Sequence, residues 1–210
     1  MIYSVMNKKN FFTKLIYFSL IIFTVIGLNS CASTQKPRPK EPFILSKRIM
    51  DAGQMNAEQL TEYFMSRNAQ ANRAHIKKFA QYYIDEAAAE GVNSDVAFAQ
   101  MCLETGYLRF GGLVQPEFHN YCGLGAMDAE HPGEQFETEE LGVRAHIQHL
   151  QAYGTTEEQK LVKELVDPRY NWVHKTKYIE TIYELAGTWA TDPLYGQKIE
   201  TILINMGYYK

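Results

Sequence analysis

Apolar residues spaced three and four positions apart dominate the middle of this chain and predict α-helix. The clearest run lies between residues 76 and 88, where the spacing places the apolar side chains on one helix face. Its apolar members are Ile76, Phe79, Ala80, Tyr83, Ile84, Ala87 and Ala88. Gly91 follows and suits a helix end. A domain built from this chain is therefore expected to be mainly α.

Two shorter helices flank this run. Asn56 opens one of them, and residues 93–95 cap the other, which extends from residue 96 to about residue 105. Between residues 107 and 136 no helical period persists, because glycines and prolines interrupt the chain. This stretch predicts a short β-hairpin or an irregular lobe.

Four further helices are expected towards the C-terminus. One begins near residues 139–140, and another covers residues 161–166. A penultimate helix carries apolar residues over 179–189. The last helix begins with Asp192 as its N-cap and Pro193 at its first position.

The first thirty residues have the pattern of an export signal. Three lysines precede an apolar run over residues 15–28, which is shorter than a typical membrane span. The run ends in Leu-Asn-Ser-Cys, which resembles a bacterial lipoprotein signal. We therefore predict a signal peptide over residues 1–30 and lipidation of Cys31, with an uncleaved signal anchor as the alternative.

The next segment separates this signal from a single domain. Residues 31–45 are polar, basic and proline-rich, as expected of an extended tether. Residues 46–210 are long enough for one domain with its own core. Without the three leader lysines, the chain has 18 basic and 24 acidic side chains and a net charge of −6. That balance argues against nucleic-acid binding.

Two cysteines remain after Cys31. Cys102 and Cys122 are either joined in a disulfide, which an exported chain permits, or present as two buried thiols. His146 and His149 lie three positions apart on one predicted helix, but no third metal ligand accompanies them. We expect neither a metal ion nor a cofactor.

Three motifs follow one another along the chain: A-Q-M-C-L-E-T-G over residues 99–106, N-Y-C-G-L-G-A over 120–126, and W-A-T-D-P-L-Y-G-Q-K-I over 189–199. Together they closely resemble the glucosaminidase domain of bacterial cell-wall hydrolases, glycoside hydrolase family 73, over roughly residues 55–206. The resemblance implies a lysozyme-like α+β fold with a small β-hairpin lobe, which looks shortened here. It also implies cleavage of the β-1,4 bond after N-acetylglucosamine in peptidoglycan.

Glu104 falls on the position of the family's general acid. Protonation of a poor alkoxide leaving group requires an acid whose pKa has been raised towards the working pH. Glu104 stands near the end of an apolar helix, where Met101, Leu103 and Tyr107 supply surroundings of low polarity. We therefore predict that Glu104 is catalytic.

The partner of Glu104 is less clearly marked. Retaining and inverting glycosidases both use a second carboxylate, and the shortened lobe over residues 127–135 offers Glu130 and Glu134. A substrate-assisted route, in which the acetamido group of the sugar is the nucleophile, needs no second carboxylate. Water activation by Glu134 or Glu130 and the substrate-assisted route stay open as alternatives.

Five residues are predicted to line the sugar cleft: Asn120, Tyr121, Tyr107, Trp189 and Tyr195. Trp189 stands where the family commonly has tyrosine. Its indole can stack on a sugar, but a phenol hydroxyl at that position is lost. Tyr195, one turn into the last helix, can replace that hydroxyl.

The expected protein is a monomeric lipoprotein of the bacterial cell envelope, facing the periplasm or the outer surface. Its partners are peptidoglycan glycan strands and, through the lipid, the membrane. A lytic transglycosylase that leaves 1,6-anhydro ends and a non-catalytic glycan-binding lipoprotein are the two alternatives.

Overall fold

The computed structural model describes residues 41–156, 159–176 and 178–210. The predicted signal peptide and Cys31 lie outside these residues. The described part is mainly helical, and none of its helices is long and apolar enough to cross a bilayer. The helices are α1 (Ala57–Arg67), α2 (Arg73–Glu90), α3 (Ser94–Glu104), α4 (Glu139–Gly154), α5 (Tyr170–Thr176) and α6 (Tyr195–Gly207), with 3₁₀ turns at Pro116–Phe118 and Ile182–Leu185.

Helix α3 is the centre of the domain. Every residue from Ser94 to Cys102 is buried, and α2, α4 and α6 all pack against this helix. Only its last two residues, Leu103 and Glu104, reach the surface. The core therefore fixes the direction in which Glu104 leaves the helix.

The start of α1, the end of α2 and the cap of α3 lie where the sequence predicts, although α3 begins at Ser94, two residues earlier than expected. Asn56 forms a capping box with Gln59 at the start of α1, and the Asn93 side chain accepts hydrogen bonds at the start of α3. Gly91 ends α2 in the left-handed conformation, with a φ of 73°. These boundaries are local, so the sequence alone is enough to predict them.

The helix predicted over residues 161–166 is wrong. Buried side chains of α2 and α4 take the backbone hydrogen bonds that a helix would need. The Glu90 carboxylate accepts the Val162 and Lys163 N–H groups, each at 2.9 Å. Gln148 accepts the Val166 N–H at 2.8 Å and donates to a carbonyl of the same segment. The segment is therefore irregular, with bends at Val162 and Lys163.

The penultimate helix, predicted over residues 179–189, is wrong over most of its length. Only Ile182–Leu185 forms a 3₁₀ turn. The Ile179 N–H donates to the Tyr153 carbonyl and the Ile182 N–H to the Lys47 carbonyl, so tertiary pairing replaces helical pairing. Helix α5, which has no strong apolar period, was not expected.

The last helix begins two residues later than predicted. The Asp192 carboxylate accepts the Leu194 N–H at 2.9 Å and so caps the turn that precedes Tyr195. The tether also ends earlier than predicted. The Phe43 N–H donates to the Gly207 carbonyl, and Leu45 is buried in the core. Folded structure therefore begins before the expected boundary at residue 46.

The predicted β-hairpin is not present as a pair of strands. Within the described ranges, extended pairing is limited to isolated bridges, one of which joins Ala126 to Pro132. The lobe is an irregular loop instead. The disulfide alternative is also not observed, because Cys102 and Cys122 are both free and buried. Cys102 packs in the main core, whereas Cys122 belongs to a separate apolar cluster with Leu124 and Ala145.

Candidate active site

The chain turns sharply just beyond Glu104, the last residue of α3. Gly106, Tyr107 and Leu108 have φ angles of 56°, 61° and 57°, in the left-handed region. Tyrosine and leucine rarely adopt that region, and such strained residues concentrate near functional sites. The turn leaves the Glu104 side chain exposed while the body of α3 stays buried.

Two side chains from the C-terminal region hydrogen-bond the Glu104 carboxylate. The Tyr195 hydroxyl donates to Oε1, and the Trp189 indole, which can only donate, is the second partner. Tyr195 therefore supplies the phenol predicted for it. The replacement of the family's tyrosine by Trp189 was expected to remove a hydrogen bond at this position. The Trp189 indole supplies one instead.

The pKa of Glu104 is raised above its ordinary value of 4.5. Desolvation by the surrounding protein is the main cause, and the hydrogen bonds from Tyr195 and Trp189 oppose it by stabilising the charged form. The carboxyl is thus reachable from solvent and yet enclosed by protein atoms. This combination is what a general acid in a cleft requires.

A chain of buried hydrogen bonds stands behind Tyr195. Gln100 Nε2 donates to the Tyr195 hydroxyl at 2.8 Å. His146 Nε2 lies 3.0 Å from Gln100 Oε1, and the Tyr83 hydroxyl lies 3.0 Å from His146 Nδ1. We call Tyr83, His146, Gln100 and Tyr195 the donor chain. All four residues are buried.

All the hydrogen bonds of the donor chain run in the same direction. Burial, followed by the nearby His149, lowers the pKa of His146 to about 3, so its imidazole is neutral. With the Gln100 amide donating to Tyr195, Gln100 Oε1 must accept from His146 Nε2–H, and His146 Nδ1 must accept from Tyr83. Each member therefore donates towards Glu104, and Tyr195 is held as a donor to Oε1.

Two cavities are lined by segments that follow Glu104 in the chain or contact it, although Glu104 itself lines neither. One of about 550 Å³ is lined by the loop that follows Glu104, including Leu108 and Phe110, and by Tyr121. The other, of about 270 Å³, is lined by residues 122–127 and by Trp189. Trp189 connects the two features, because it contacts Glu104 and also lines the smaller cavity.

Asn120 does not serve as the predicted sugar ligand. It is buried, and its Nδ2 donates to the Leu124 and Glu134 carbonyls at 2.9 and 3.0 Å. Its Oδ1 accepts the Leu124 N–H at 2.9 Å. Asn120 therefore braces the loop. Tyr121 lines the larger cavity but is almost wholly buried against Phe79, with ring centroids 4.7 Å apart.

Tyr107 is directed towards the core. Its hydroxyl lies 2.7 Å from the hydroxyl of Tyr63, and its ring packs edge-on against Phe64. Its carbonyl accepts a hydrogen bond from Asn68 at 2.9 Å. Tyr107 thus stabilises the turn after the acid.

The structure distinguishes the two candidate carboxylates. Glu130 is exposed at the tip of the loop. Glu134 is half-buried, and its side chain covers Gly125, where an added Cβ would stand 3.1 Å from Oε1. Gly125 lines the smaller cavity. Among the described residues, no second carboxylate contacts Glu104 directly.

Gln100 and the role of His146 were not predicted from the sequence. Gln100 precedes Glu104 by four positions on an otherwise apolar helix, so its polarity at that spacing was a usable signal. The role of His146 had no local signal, because its partners stand on α2 and α3. His149 is likewise engaged, with its Nδ1 2.7 Å from the buried Asp167 carboxylate. Among the described residues no group of three or more potential ligands is arranged to hold a metal ion.

Comparisons with known proteins cover most of this chain. A model of the glucosaminidase family, described as mannosyl-glycoprotein endo-β-N-acetylglucosaminidase, matches residues 80–207. That range contains Glu104, the donor chain and every residue that lines the smaller cavity. An uncharacterised protein of Borreliella burgdorferi is 40% identical over 168 residues, which cover 80% of this chain and 78% of that protein.

Proposed function

Since the chain belongs to the glucosaminidase family, glycoside hydrolase family 73, we propose that it is an endo-β-N-acetylglucosaminidase that cleaves the β-1,4 bond after N-acetylglucosamine in peptidoglycan. The family match confirms the resemblance seen in the three motifs. One observation carries the proposal beyond the family. Glu104 is a solvent-reachable carboxyl with a raised pKa, held by hydrogen bonds from Tyr195 and Trp189.

Glu104 acts as the general acid. In its protonated form it gives its proton to the glycosidic oxygen while the bond from that oxygen to the sugar carbon breaks. The carboxylate that remains is stabilised by the donors already directed at it, Tyr195 and Trp189. Because Tyr195 occupies Oε1, the proton that moves is carried by Oε2.

Glu134 is the better candidate for the second carboxylate. Its side chain covers Gly125 at the edge of the smaller cavity, whereas Glu130 is exposed at the loop tip. In this role Glu134 activates the water that attacks the sugar carbon. The route in which the acetamido group of the sugar is the nucleophile differs in needing no contribution from Glu134.

The envelope location is part of the same proposal. The leader and Cys31 fit a lipoprotein, and the proline-rich residues that follow fit a tether. Lipid at Cys31 would hold a monomeric domain within reach of glycan strands. Metabolic labelling with a palmitate analogue tests this, because the label should be lost in Cys31→Ser.

Digestion of purified peptidoglycan by the wild-type chain tests the activity. Mass spectrometry of the products should show reducing N-acetylglucosamine ends. Ends carrying 1,6-anhydro-muramic acid would instead identify a lytic transglycosylase. An N-glycan substrate belongs in the same assay, because the family description names a mannosyl-glycoprotein, and exclusive cleavage of that substrate would contradict peptidoglycan as the target.

The Glu104→Gln variant separates an enzyme from a glycan-binding protein. It should lose digestion while keeping the circular dichroism spectrum of the wild type. Digestion at the wild-type rate in this variant would remove Glu104 from the mechanism.

A further inference from the structure

One face of α4 carries three aromatic rings that pack against the Trp189 indole. His146, His149 and Tyr153 are three and four positions apart, so they lie on the same helix face. Their ring centres stand 5.9, 5.0 and 5.5 Å from the centre of the Trp189 ring. The Tyr153 hydroxyl also donates to the Thr188 carbonyl at 3.3 Å, next to the indole in sequence. Helix α4 therefore fixes the place of the indole that contacts the acid.

His149 is the nearest of these rings to Trp189, and a buried carboxylate fixes it in turn. Its Nδ1 lies 2.7 Å from Oδ2 of Asp167, whose side chain is fully buried. A carboxylate only accepts hydrogen bonds, so His149 Nδ1 carries a proton and donates. The other oxygen of Asp167 accepts the Arg169 N–H at 2.8 Å. Both oxygens have partners, and the carboxylate therefore holds the imidazole in one orientation.

The irregular segment before Asp167 brings this carboxylate to His149. Gln148 on α4 accepts the Asp167 N–H at 3.2 Å and the N–H of the preceding residue at 2.8 Å. Nearer the start of the segment, the buried Glu90 carboxylate accepts two further N–H groups, each at 2.9 Å. Buried side chains thus hold the segment along its length, and Asp167 meets His149 from a fixed position.

We propose that Asp167 and His149 are positioning residues for the general acid. The carboxylate fixes the imidazole, and the imidazole fixes the Trp189 ring so that its N–H stays directed at Glu104. We call Asp167, His149 and Trp189 the indole support. The inference rests on the proposed function, since it takes Glu104 as the acid, and it deepens that function by assigning two residues that act through Trp189.

The indole support and the donor chain serve the two hydrogen bonds of the Glu104 carboxylate. The donor chain passes through His146 and ends at the Tyr195 hydroxyl, whereas the indole support passes through His149, three residues later on the same helix. A donor that is held in advance needs no reorganisation when the carboxylate becomes charged. Loss of the indole support should therefore slow proton transfer even where the fold survives.

Asp167→Asn tests the indole support with little change in shape. An asparagine side chain has one acceptor oxygen, whereas the two carboxylate oxygens of Asp167 each accept one hydrogen bond. We expect kcat on peptidoglycan to fall about tenfold, the effect of weakening one hydrogen bond to a charged group. In a Trp189→Phe background the same change should cost no more than about twofold, because no indole remains to be held.

Fluorescence gives a second readout that does not depend on activity. The chain has two tryptophans, so Trp172→Phe leaves Trp189 as the only source of indole emission. Asp167→Asn should shift that emission to longer wavelength, because a less firmly held ring meets more water. His149→Asn should do the same, since its amide can still donate to the buried carboxylate while the ring that packs on Trp189 is lost.

Asp128→Asn is the matched control. The Asp128 carboxylate lies 2.8 Å from Nδ1 of His131, so the pair joins the same kinds of atoms at nearly the same distance. Both side chains are more than half exposed, and neither packs on Trp189. This variant should change neither kcat nor the Trp189 emission.

Two results would overturn the positioning role: equal losses of kcat with and without Trp189, or an unchanged Trp189 emission in both Asp167→Asn and His149→Asn. A wild-type chain that cleaves nothing would contradict the proposed function, and the emission would still test the indole support. A chain that cleaves peptidoglycan but gives either of the two results would do the reverse.

Discussion

The two sides of Glu104 are built in opposite ways. Behind it, the donor chain is buried and each of its members has a hydrogen-bond partner in a fixed order. In front of it, residues 120–134 form an irregular loop that Asn120 braces from below. The carboxylates of this loop, Glu130 and Glu134, face solvent to different degrees and make no direct contact with Glu104.

The difference shows which part of the chemistry the protein fixes in advance. A buried polar network is costly when incomplete, so it holds its members in one arrangement. The donor chain therefore holds the Tyr195 hydroxyl as a donor to Glu104 Oε1. In the front loop Asn120 holds the backbone in place, but no comparable network among the described residues holds the Glu130 and Glu134 side chains.

Replacement of Gln100 by leucine should interrupt the donor chain behind Glu104 at its middle. His146 Nε2 and the Tyr195 hydroxyl would each lose a partner, and an unsatisfied buried group costs about 1–3 kcal/mol. We expect the free energy of unfolding to fall by about 2–4 kcal/mol, measured by urea denaturation. Glu130→Gln on the front loop is the control and should stay within about 0.5 kcal/mol. A matching small loss in both variants would show that the two sides are equally tolerant.

Glu134→Gln tests whether the front side takes part in the reaction. If Glu134 activates water, kcat on peptidoglycan should fall about 100-fold, while Glu130→Gln should retain the wild-type rate. Initial rates of reducing-end release measure both. Unchanged rates in both variants would contradict a role for Glu134 and favour attack by the acetamido group of the sugar.

Tyr195→Phe removes the direct contact between the donor chain and the acid. The hydroxyl stabilises the charged carboxylate, so its loss should raise the pKa of Glu104 further above 4.5. The basic limb of the pH profile of kcat/KM should therefore move to higher pH, with a rate loss of about tenfold. Tyr178→Phe, at an exposed position, is the matched control. A limb that moves down or stays fixed would contradict the assignment.

The neutral state of His146 predicts a pH dependence of stability. Its pKa is about 3 in the folded chain and 6.5 when unperturbed, so between these values the unfolded chain binds a proton that the folded chain does not. Stability should fall as the pH drops through this window, by up to about 1.4 kcal/mol per pH unit from this residue. In His146→Gln that part of the slope should disappear in urea denaturation at pH 4 to 7. Parallel slopes in the two proteins would mean that His146 is not held neutral.

The parts of this structure that the sequence predicted are those with local causes. Helices α1 to α3 are marked by Asn56, Gly91 and Asn93, which are adjacent to the residues they cap. The irregular segment over residues 161–166 was wrongly predicted as a helix, because Glu90, which binds its backbone, lies far away in sequence. A short apolar period cannot reveal a competing partner on another helix.

The same distinction applies to the site. Glu104 was found because its motif is contiguous, and Tyr195 because it lies within another motif. Gln100 was visible in principle from its spacing to Glu104. The donor chain as a whole was not, because Tyr83, His146 and Gln100 belong to three different helices.

The role of Glu104 as general acid is tested most directly by comparing two substrates in Glu104→Gln. A glycan needs its leaving oxygen protonated, whereas a dinitrophenyl glycoside of the same sugar has a leaving group that departs without a proton. Relative to the wild type, the variant should lose about 10²–10⁴-fold in kcat on the glycan and no more than about tenfold on the dinitrophenyl glycoside. An equal loss on both substrates would contradict the assignment of Glu104 as the acid.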